Sequence, residues 1–598
     1  MTIAAKPRFG GPPFANVTLM TADATSAYLS RPWETAYGDA IARDLPPPRA
    51  QHLAAMLAEA GQRFSALPAF TTCMPNGMNA TLSFTQVERE SDAFAVYLRD
   101  VLGLKQGARV ALQMPNCLAY PVVAFGVFKA GCVLVNTNPL YTPTEMAHQF
   151  NDSGAEVLVI VDMFADKLET ILERTAIKTV VVAELTQYFH PIPRAVVRLV
   201  MKWWNRVLPR VKVPHVRMAQ ALEQGRAHQR AAAVNLSAYT QGQGLTTLAA
   251  LQYTGGTTGV SKGAMLTHGN LLINLEQGLS MGRAQIVDGH EVVLTALPLV
   301  HVFAFMFNLL CFYAVGARNV MVPSPRPIQN LQRAFDNYPI TWVSGVNTLY
   351  NALLNEEWFT AFPPRQLKAA VAGGAALQHA IADRWRKVTG TVIAEGYGLT
   401  EASPCVSFNP ISGVQKPGSI GLPVPGTDVR LVNDDSVDVP IGSPGELLVR
   451  GPQVMQGYWQ RPDETAAALR DGWLYTGDIA VMDEDGYFRI VDRKKDMVLV
   501  SGFNVYPNEV EDAIALMDEV LEVAVIGVPD ERTGEAVRAY VVPQTPGLSE
   551  AAVRAHCKTL LTDYKCPKTV VFRSDLPKTQ VGKILRKALR DEFAADAT

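Results

Sequence analysis

The segment best suited to chemistry is a run of glycine and hydroxyl residues that ends in a lysine. Glycines let backbone N–H groups turn toward an anion, hydroxyls add donors, and a lysine adds positive charge. The run is not a Walker A loop, because its lysine follows a serine and precedes a glycine. Apolar residues at 248–251 and a helical pattern from about residue 270 flank it, which argues against a flexible linker. We predict that it binds phosphate through Tyr253, Thr254, Gly255, Gly256, Thr257, Thr258, Gly259, Val260, Ser261, Lys262, Gly263 and Ala264.

Five more motifs follow this loop toward the C-terminus. They lie at residues 372–375, 396–401, 473–478, 492–496 and 577–583. In this order they resemble the motifs of the adenylate-forming enzymes, the family of acyl-CoA synthetases, luciferases and the adenylation domains of peptide synthetases. Residues 138–142 extend the resemblance toward the N-terminus, so that it leaves out only about the first 25–30 residues.

The resemblance implies a role for individual residues. It places catalysis on Lys583, Glu401 and His301, a hinge at Lys495, and Mg²⁺ at Thr257 and Glu401. A channel for coenzyme A is implied along Ser501, Gly502 and Phe503. Binding of ATP and AMP is implied for the loop residues above and for Gly373, Gly374, Ala375, Glu395, Gly396, Tyr397, Gly398, Thr400, Asp478 and Arg493. The expected cofactors and co-substrates are therefore ATP, Mg²⁺ and coenzyme A.

The residue types suit these roles. Tyr397 offers an aromatic face for adenine, and Glu401 offers a hard oxygen ligand for Mg²⁺. Asp478 can accept hydrogen bonds from both ribose hydroxyls, with Arg493 as a donor nearby. Lys583 is a compact, mobile cation that can bridge the substrate carboxylate and the α-phosphate as charge develops between them. Taken singly, the carboxylates are more often solvated turn residues and the lysine is more often a surface residue, so the prediction rests on the order and spacing of the motifs.

A long uncharged stretch covers residues 292–317. Its length alone would suit a transmembrane helix. Pro298 near its start and the polar His301 and Asn308 inside it instead favour a buried strand, a turn and a core helix.

Part of this stretch bears on the substrate. Residues 298–303 resemble the family segment that lines the acyl pocket and its gate, although a core histidine at His301 is an equally good interpretation. Amino-acid-activating relatives carry an Asp at the position of Val302, so an amino-acid substrate is disfavoured. Residues 471–495 make the resemblance closest to the bacterial long-chain fatty acid–CoA ligases, with Tyr475 where a His is common.

Strand patterns alternate with helix patterns in two parts of the chain, from about residue 85 to 183 and over 290–394. Such alternation predicts parallel sheets covered by helices on both faces. The spacing of Thr85 and Glu88 predicts a capping box at the start of the first of these helices. Residues 417–492 contain short strands separated by turn residues, which indicates a small barrel or antiparallel sheet.

The predicted fold class is therefore α/β. We expect a large N-terminal body of two α/β sheet subdomains plus a small β-barrel-like subdomain, followed by a small mobile α+β C-terminal domain. The predicted boundaries are 1–48 for an irregular leader, 49–494 for the AMP-binding N-terminal domain, and 495–598 for the mobile C-terminal domain.

Composition indicates the cellular compartment of the protein and the classes of partner that it can bind. A net charge of −2 argues against binding nucleic acid. The seven cysteines show neither a paired spacing nor a cluster with histidine, which favours a reducing compartment. No apolar signal segment is visible near the N-terminus, so we expect a cytoplasmic protein. The sequence leaves a homodimer open.

One segment suggests contact with a membrane surface. Between residues 193 and 210, basic residues recur every four positions and apolar residues fall opposite them. This pattern is typical of a helix that lies in a membrane surface, which would place the protein peripherally on the inner face of the cytoplasmic membrane. The same pattern fits equally well a helix that packs on its own domain and leaves a basic edge in solvent. The basic residues are Arg194, Arg198, Lys202, Arg206 and Arg210, and the apolar ones are Val197, Val200, Met201, Trp204, Val207 and Leu208.

Together these features predict a long-chain fatty acid–CoA ligase. A fatty acid would be activated with ATP as an acyl-adenylate and then transferred to coenzyme A, with release of AMP and pyrophosphate. One alternative is a ligase that loads a carrier protein, but such relatives carry an insertion before the hinge, and residues 487–494 have none. The other is a catalytically silent acyl-binding protein at the membrane, which the intact motif residues disfavour.

Overall fold

A computed structural model of the chain describes residues 26–39, 41–45, 47–254, 261–579 and 582–596. The strands are β1 (Pro68–Cys73), β2 (Asn79–Ser83), β3 (Arg109–Gln113), β4 (Val133–Asn136), β5 (Val157–Val161), β6 (Thr179–Ala183), β7 (Val216–Arg217), β8 (Leu248–Thr254), β9 (Lys262–Thr267), β10 (Val292–Thr295), β11 (Arg318–Met321), β12 (Trp342–Gly345), β13 (Ala369–Ala372), β14 (Ile393–Gly398), β15 (Cys405–Phe408), β16 (Leu422–Pro423), β17 (Asp428–Val432), β18 (Gly445–Arg450), β19 (Leu469–Arg470), β20 (Trp473–Met482), β21 (Phe488–Arg493), β22 (Val498–Val500), β23 (Phe503–Val505), β24 (Val520–Asp530), β25 (Gly534–Pro543) and β26 (Thr569–Phe572).

The α-helices are α1 (Leu53–Arg63), α2 (Phe84–Val96), α3 (Ala119–Lys129), α4 (Pro143–Ser153), α5 (Pro191–Leu199), α6 (Met218–Ala231), α7 (His268–Gly282), α8 (Val302–Ala304), α9 (Phe312–Ala314), α10 (Gln332–Asn337), α11 (Asn347–Leu354), α12 (Glu357–Ala361), α13 (His379–Thr389), α14 (Pro462–Ala468), α15 (Pro507–Ala515), α16 (Glu550–Leu560) and α17 (Arg586–Asp596).

Two large sheets form the body of the protein. The first has seven strands in the order β7-β6-β5-β3-β4-β8-β9, and the second has nine in the order β16-β15-β14-β13-β12-β10-β11-β1-β2. Their inner strands run parallel, and antiparallel pairs stand at edges, such as β8 with β9 and β1 with β2. Inner strands such as β5 are buried along their whole length, as expected for parallel strands covered on both faces. The predicted α/β class is confirmed.

Two smaller sheets complete the fold. The third sheet is antiparallel, with the order β17-β18-β20-β19 and β21 paired to β20. The C-terminal sheet has the order β23-β22-β25-β24, and β26 adds a parallel strand beside β25. Helix α15 packs on β24, which gives the C-terminal part its α+β character. Both agree with the predicted small β subdomain and α+β unit.

The first described residues differ from the predicted irregular leader. Two 3₁₀ helices, Ala27–Ser30 and Pro32–Tyr37, lie against the third sheet and against β16 of the nine-stranded sheet. Tyr28 donates a hydrogen bond to the carbonyl of Val439 at 3.0 Å, and Tyr37 donates one to the carbonyl of Pro423 at 2.5 Å. The aromatic side chains thus anchor a segment that its sequence composition alone had suggested to be irregular. Residues 1–25 lie outside the described part.

The uncharged stretch from 292 to 317 is folded inside the body. It forms β10, a turn, and a continuous helical segment made of α8, a π-helical stretch Phe305–Cys311, and α9. Its large side chains are buried, as predicted for a core strand and helix. Among the described residues, no helix has the length and apolar character needed to cross a membrane.

The segment from 193 to 210 differs from the predicted amphipathic helix. Helix α5 ends at Leu199, a π-helical turn covers Val200–Trp204, and residues 205–215 are not helical. Arg194 and Arg198 form ion pairs with Glu184 and Asp162 of the same domain. Acidic residues of neighbouring elements therefore bind these two arginines of the predicted basic edge.

A prediction concerns Gly421, which lies where β15, β16 and β21 meet. Its φ is +80°, and a Cβ there would lie 2.1 Å from the backbone carbon of Phe408. Gly472 has the same φ but open space around it. We expect Gly472→Ala to cost only about 1 kcal/mol of strain, whereas Gly421→Ala costs about 3 kcal/mol because the backbone must move.

Thermal unfolding of both variants at one scan rate tests this difference. Gly421→Ala should lower Tm by several degrees more than Gly472→Ala. Equal shifts in the two variants would contradict the close approach at Gly421.

Candidate active site

A cavity of about 1640 Å³ lies where the two large sheets, the third sheet and the C-terminal part meet. Strands β8 and β14 and the turn after β13 deliver their motif residues to it, as parallel sheets do at the carboxyl ends of their strands. Many predicted site residues line this one cavity: Tyr253, Thr254, Lys262, His301, Gly373, Gly374, Ala375, Glu395, Gly396, Tyr397, Gly398, Thr400, Glu401, Asp478, Arg493, Lys495 and Lys583. Residues 255–260 of the phosphate loop lie outside the described residues.

Both ends of the phosphate loop are held firmly. Thr254 and Lys262 are paired across the antiparallel strands β8 and β9. The hydroxyl of Tyr253 donates a hydrogen bond to Asp152 Oδ2 at 2.8 Å, and a ring nitrogen of His148 lies 3.1 Å from the carbonyl oxygen of Ser261. Burial and the Asp152 carboxylate raise the pKa of Tyr253, so it stays a neutral donor. Tyr253 therefore anchors the loop to α4.

The nucleotide motifs converge on the carboxylate of Asp478. Tyr397, near the end of β14, donates its hydroxyl proton to Asp478 Oδ2 at 2.5 Å. Arg493 lies directly opposite Asp478 across β20 and β21, with Nε 3.4 Å from Oδ1. Burial, followed by the charge of Asp478, raises the pKa of Tyr397 well above its ordinary value. Asp478 thus joins the nine-stranded sheet to the third sheet within the cavity.

Glu395 is a buried carboxylate close to the motif at residues 372–375. Its Oε1 accepts a hydrogen bond from the N–H of Gly418 at 2.9 Å. Burial raises the pKa of Glu395 to about 7, against the lowering effect of backbone hydrogen bonds. Gly373 lies nearby, where a Cβ would approach the carbonyl oxygen of Gly396 to 3.3 Å. Glycine at this position keeps a side chain out of this part of the cavity.

Glu401 lies on a 3₁₀ turn, Thr400–Ala402, that follows β14. Its Oε1 accepts a hydrogen bond from the hydroxyl of Tyr458 at 2.7 Å, and Lys262 Nζ lies 5.0 Å from the centre of the Tyr458 ring. Within the described part of the chain, no cluster of three or more Asp, Glu, His or Cys residues could hold a metal ion. A single carboxylate nevertheless fits Mg²⁺ that arrives with a nucleotide, because that ion takes most ligands from phosphates and water.

Lys583 reaches the cavity from the C-terminal part. The carbonyl of Gly582 accepts a hydrogen bond from Thr348 Oγ1 at 3.2 Å, which ties this turn to α11. A Cβ on Gly582, whose φ is +87°, would lie 2.6 Å from that same Oγ1. Burial, followed by the charge of Arg493, lowers the pKa of Lys583 to about 8, against the raising effect of Asp478. The ammonium therefore faces the nucleotide motifs in a dry site with little counter-charge.

His301 stands at the start of α8, between the polar and apolar parts of the cavity. Its Nδ1 accepts a hydrogen bond from the N–H of Phe303 at 3.3 Å and so caps the helix. Burial, followed by the charge of Lys583, lowers the pKa of His301 to about 4. The imidazole is therefore neutral at physiological pH. It is both a capping residue and a cavity residue, so the two interpretations of its sequence position are compatible.

Ser501, Gly502 and Phe503 are the predicted site residues that lie apart from the others. Ser501 and Gly502 form the turn between β22 and β23, and Phe503 begins β23. All three are exposed, and none of them lines the cavity. Ser501 and Gly502 both have positive φ, and the Phe503 ring stacks on Tyr564 with centroids 4.9 Å apart. Lys495, at the start of the same C-terminal part, does line the cavity.

Three residues of the site were missed by the sequence analysis. Asp152 holds Tyr253, Tyr458 holds Glu401, and Thr348 holds Gly582. Each lies far along the chain from its partner and outside the motifs. A single polar residue in a helix or loop carries no spacing signal, so the sequence offered nothing by which to find them.

Comparison with known proteins agrees with this arrangement. The family model of the AMP-binding enzymes matches residues 57–459, and that of the AMP-binding enzyme C-terminal domain matches residues 509–583. A long-chain-fatty-acid–CoA ligase of Yersinia pestis is 48% identical over 566 residues, which make up 94% of this chain and 98% of the relative. One of Bacillus subtilis is 35% identical over 567 residues, again 94% of this chain and 98% of the relative.

Solved structures show the same architecture. An anthranilate CoA ligase in complex with anthranoyl-AMP superimposes with a TM-score of 0.80 at 25% identity, over 92% of this chain and 99% of that one. ATP-bound MatB from Rhodopseudomonas palustris gives 0.77 at 28% identity, over 90% and 99%. The chain belongs to the AMP-binding enzyme family and, within it, to the long-chain-fatty-acid–CoA ligases.

Proposed function

We propose that the protein joins a long-chain fatty acid to coenzyme A in two steps, through an acyl-adenylate. The observation that carries this proposal is the position of Lys583, whose ammonium lies in the same cavity as Asp478 and Arg493 and faces His301 at the edge of an apolar wall. A cation at this boundary suits a reaction between a carboxylate on the apolar side and a phosphate on the polar side.

The first step forms the adenylate. A carboxylate oxygen of the fatty acid bonds to the α-phosphorus of Mg-ATP, and the bond from that phosphorus to the pyrophosphate oxygen breaks. Lys583 stabilises the charge that builds on the α-phosphate. Asp478 and Arg493 would hold the ribose, and Glu401 would bind the Mg²⁺ that accompanies the phosphates. Tyr458 orients Glu401 for that contact through its hydroxyl.

The second step forms the thioester. The sulfur of coenzyme A bonds to the carbonyl carbon of the adenylate, and AMP leaves with the bonding electrons of the C–O bond. We infer that the C-terminal part turns about Lys495, removes Lys583 from the cavity, and brings Ser501, Gly502 and Phe503 to it. The exposure of that turn and its absence from the cavity lining support this inference, because it has no role in the arrangement described above.

The experiment that tests the proposal measures both steps separately. The wild-type protein should release pyrophosphate with oleate and ATP, and should form AMP and oleoyl-CoA only when coenzyme A is added. Lys583→Ala should lose about 10²–10³-fold in adenylation and keep most of the thioester formation from preformed oleoyl-AMP. Lys558→Ala, an exposed lysine of α16, is the matched control.

Three outcomes would contradict it. Absence of oleate-dependent pyrophosphate release from the wild-type protein would indicate a silent acyl-binding protein. Transfer of the acyl group to a carrier protein but not to coenzyme A would indicate the carrier-loading alternative. An equal loss of both steps in Lys583→Ala would remove the role assigned to that lysine.

The pKa of Lys583 predicts a pH dependence for the first step. Because the ammonium form is the one that stabilises the transition state, and its pKa is about 8, kcat/KM for adenylation should fall as pH rises above about 8. In Lys583→Arg the guanidinium stays charged, so the kcat/KM that remains should fall only at a higher pH than in the wild-type protein. If kcat/KM fell at the same alkaline pH in both proteins, a group other than Lys583 would be titrating.

We also propose that a membrane surface binds the segment from 190 to 210. Its exposed apolar face, here named the Trp203 patch, projects into solvent: Ile192 is 78% exposed, Leu199 62%, Trp203 70% and Trp204 87%. Val197 and Met201 face the protein instead, so the exposed side differs from the one that periodicity indicated. The exposed basic residues Lys202, Arg206 and Arg210 lie beside the patch. Tryptophans with adjacent cations match the boundary of an anionic leaflet.

Binding to phosphatidylglycerol-containing vesicles tests this surface. The double change Trp203→Ala with Trp204→Ala should lower the partition coefficient about tenfold or more, and salt should weaken the wild-type binding because about three cations contribute. Phe362→Ala, which removes an aromatic ring that is 83% exposed elsewhere, should leave binding unchanged. Unchanged vesicle binding in the double variant would contradict the proposal, and loss of self-association in sedimentation velocity would assign the patch to a second copy.

A further inference from the structure

We propose that Trp342 closes the far end of the acyl part of the cavity and thereby sets the preferred chain length. The inference rests on the proposed function, because it assumes that an acyl chain occupies the space beyond His301. Trp342 is the first residue of β12, and its indole lines the cavity from the nine-stranded sheet.

A row of aromatic rings leads from the nucleotide motifs to this indole. Phe303 begins the row beside Gly373, where a Cβ would lie 3.4 Å from its ring. The centroid of Phe307 lies 6.0 Å from that of Phe303 and 6.5 Å from that of Trp342. Phe312 packs 5.4 Å from Trp342 on the same side. A chain that extends from the adenylate along these rings therefore reaches the indole.

The indole is fixed in place by a buried carboxylate. Its Nε1 donates a hydrogen bond to Glu291 Oε2 at 2.9 Å, and Glu291 is fully buried. The other oxygen of Glu291 accepts hydrogen bonds from Lys368 Nζ at 2.5 Å and from the N–H of Val287 at 2.8 Å. Turning the indole aside would leave a buried acceptor without its donor, which is costly. The end of the cavity is therefore a stiff wall.

Two glycines line the cavity next to the indole. Helix α7 presents Gly278 and Gly282, one turn apart, to the cavity. A Cβ on Gly282 would lie 3.5 Å from Trp342 Cη2 and 3.5 Å from Ile411 Cγ1, which is ordinary contact. Helix α7 and the indole therefore nearly touch at this point and close the end of the cavity together. An alanine would fit without strain and would fill the small gap that remains between them.

Two single changes should therefore shift the chain-length preference in opposite directions. Trp342→Ala removes the indole that ends the cavity, and Gly282→Ala adds a methyl group beside that indole. A hydrophobic pocket discriminates a change of one methylene by about 10–200-fold. We expect Trp342→Ala to raise the ratio of kcat/KM for an 18-carbon acid to that for an 8-carbon acid by about tenfold or more. Gly282→Ala should lower the same ratio.

The measurement is the rate of acyl-CoA formation with saturated acids from 6 to 20 carbons. A ratio of two substrates on one variant is independent of the fraction of correctly folded protein, so a merely structural role of Trp342 would leave it unchanged. Phe359→Ala is the matched control: this buried ring packs with Trp385 on the other face of the same sheet, outside the cavity. Trp342→Phe serves as a milder variant if Trp342→Ala does not fold.

The outcomes separate this inference from the proposed function. A wild-type protein that forms no acyl-CoA with any of the acids would overturn the proposed function. A wild-type protein that is active, with ratios that stay within about twofold in both Trp342 variants and in Gly282→Ala, would overturn the inference alone.

Discussion

The arrangement of the site depends on one buried carboxylate, that of Asp478. It accepts the Tyr397 hydroxyl from the nine-stranded sheet and pairs with Arg493 on the neighbouring strand of the third sheet. Arg493 ends β21, two residues before Lys495, so the same carboxylate also fixes the point where the C-terminal part begins. Polar contacts of this kind are strong in a dry site, and losing one partner is costly. Sheets that are separate in sequence are thereby held in one geometry.

In the proposed mechanism, Lys583 takes two positions. Its ammonium is disfavoured in the cavity, because burial and then Arg493 lower its pKa more than Asp478 and Asp496 raise it. Phosphates of a bound nucleotide would supply the missing negative charge, and departure of pyrophosphate would take much of it away. Arg586, three residues further on, binds Asp492 and Glu511 and so keeps the C-terminal part attached beside the hinge. In the proposed mechanism, the position of Lys583 would therefore change with the charge of its ligand, as a two-step reaction in one cavity requires.

Motif spacing predicted the site residues better than it predicted their partners. The loop, Tyr397, Glu401, Asp478 and Lys583 form runs that the sequence displays, and their strands follow from apolar patterns. The start of α2 was placed at Thr85, yet Ser83 and Gln86 form the capping box, and Glu88 binds Lys129 instead. Both pairs of residues have the spacing of a capping box, and the ion pair between Glu88 and Lys129 decides which pair forms it. The same holds for α5: periodicity predicted a helix, but Glu184 and Asp162 decide which side is buried.

The apolar wall of the cavity shows why a substrate-binding surface is hard to distinguish from a hydrophobic core in the sequence. Apart from Asn308, residues 303–312 are apolar because they pack and because they line a cavity, and the two requirements select the same side chains. What separates the two roles is volume left unfilled. At Gly278 and Gly282 of α7 this volume is about the size of a methyl group, because an added Cβ would already contact Cys311 or Trp342. A sequence pattern reports which residues avoid water, whereas the empty space between two elements depends on how closely both are held. The position of the Trp342 indole follows from its hydrogen bond to Glu291 and not from packing alone.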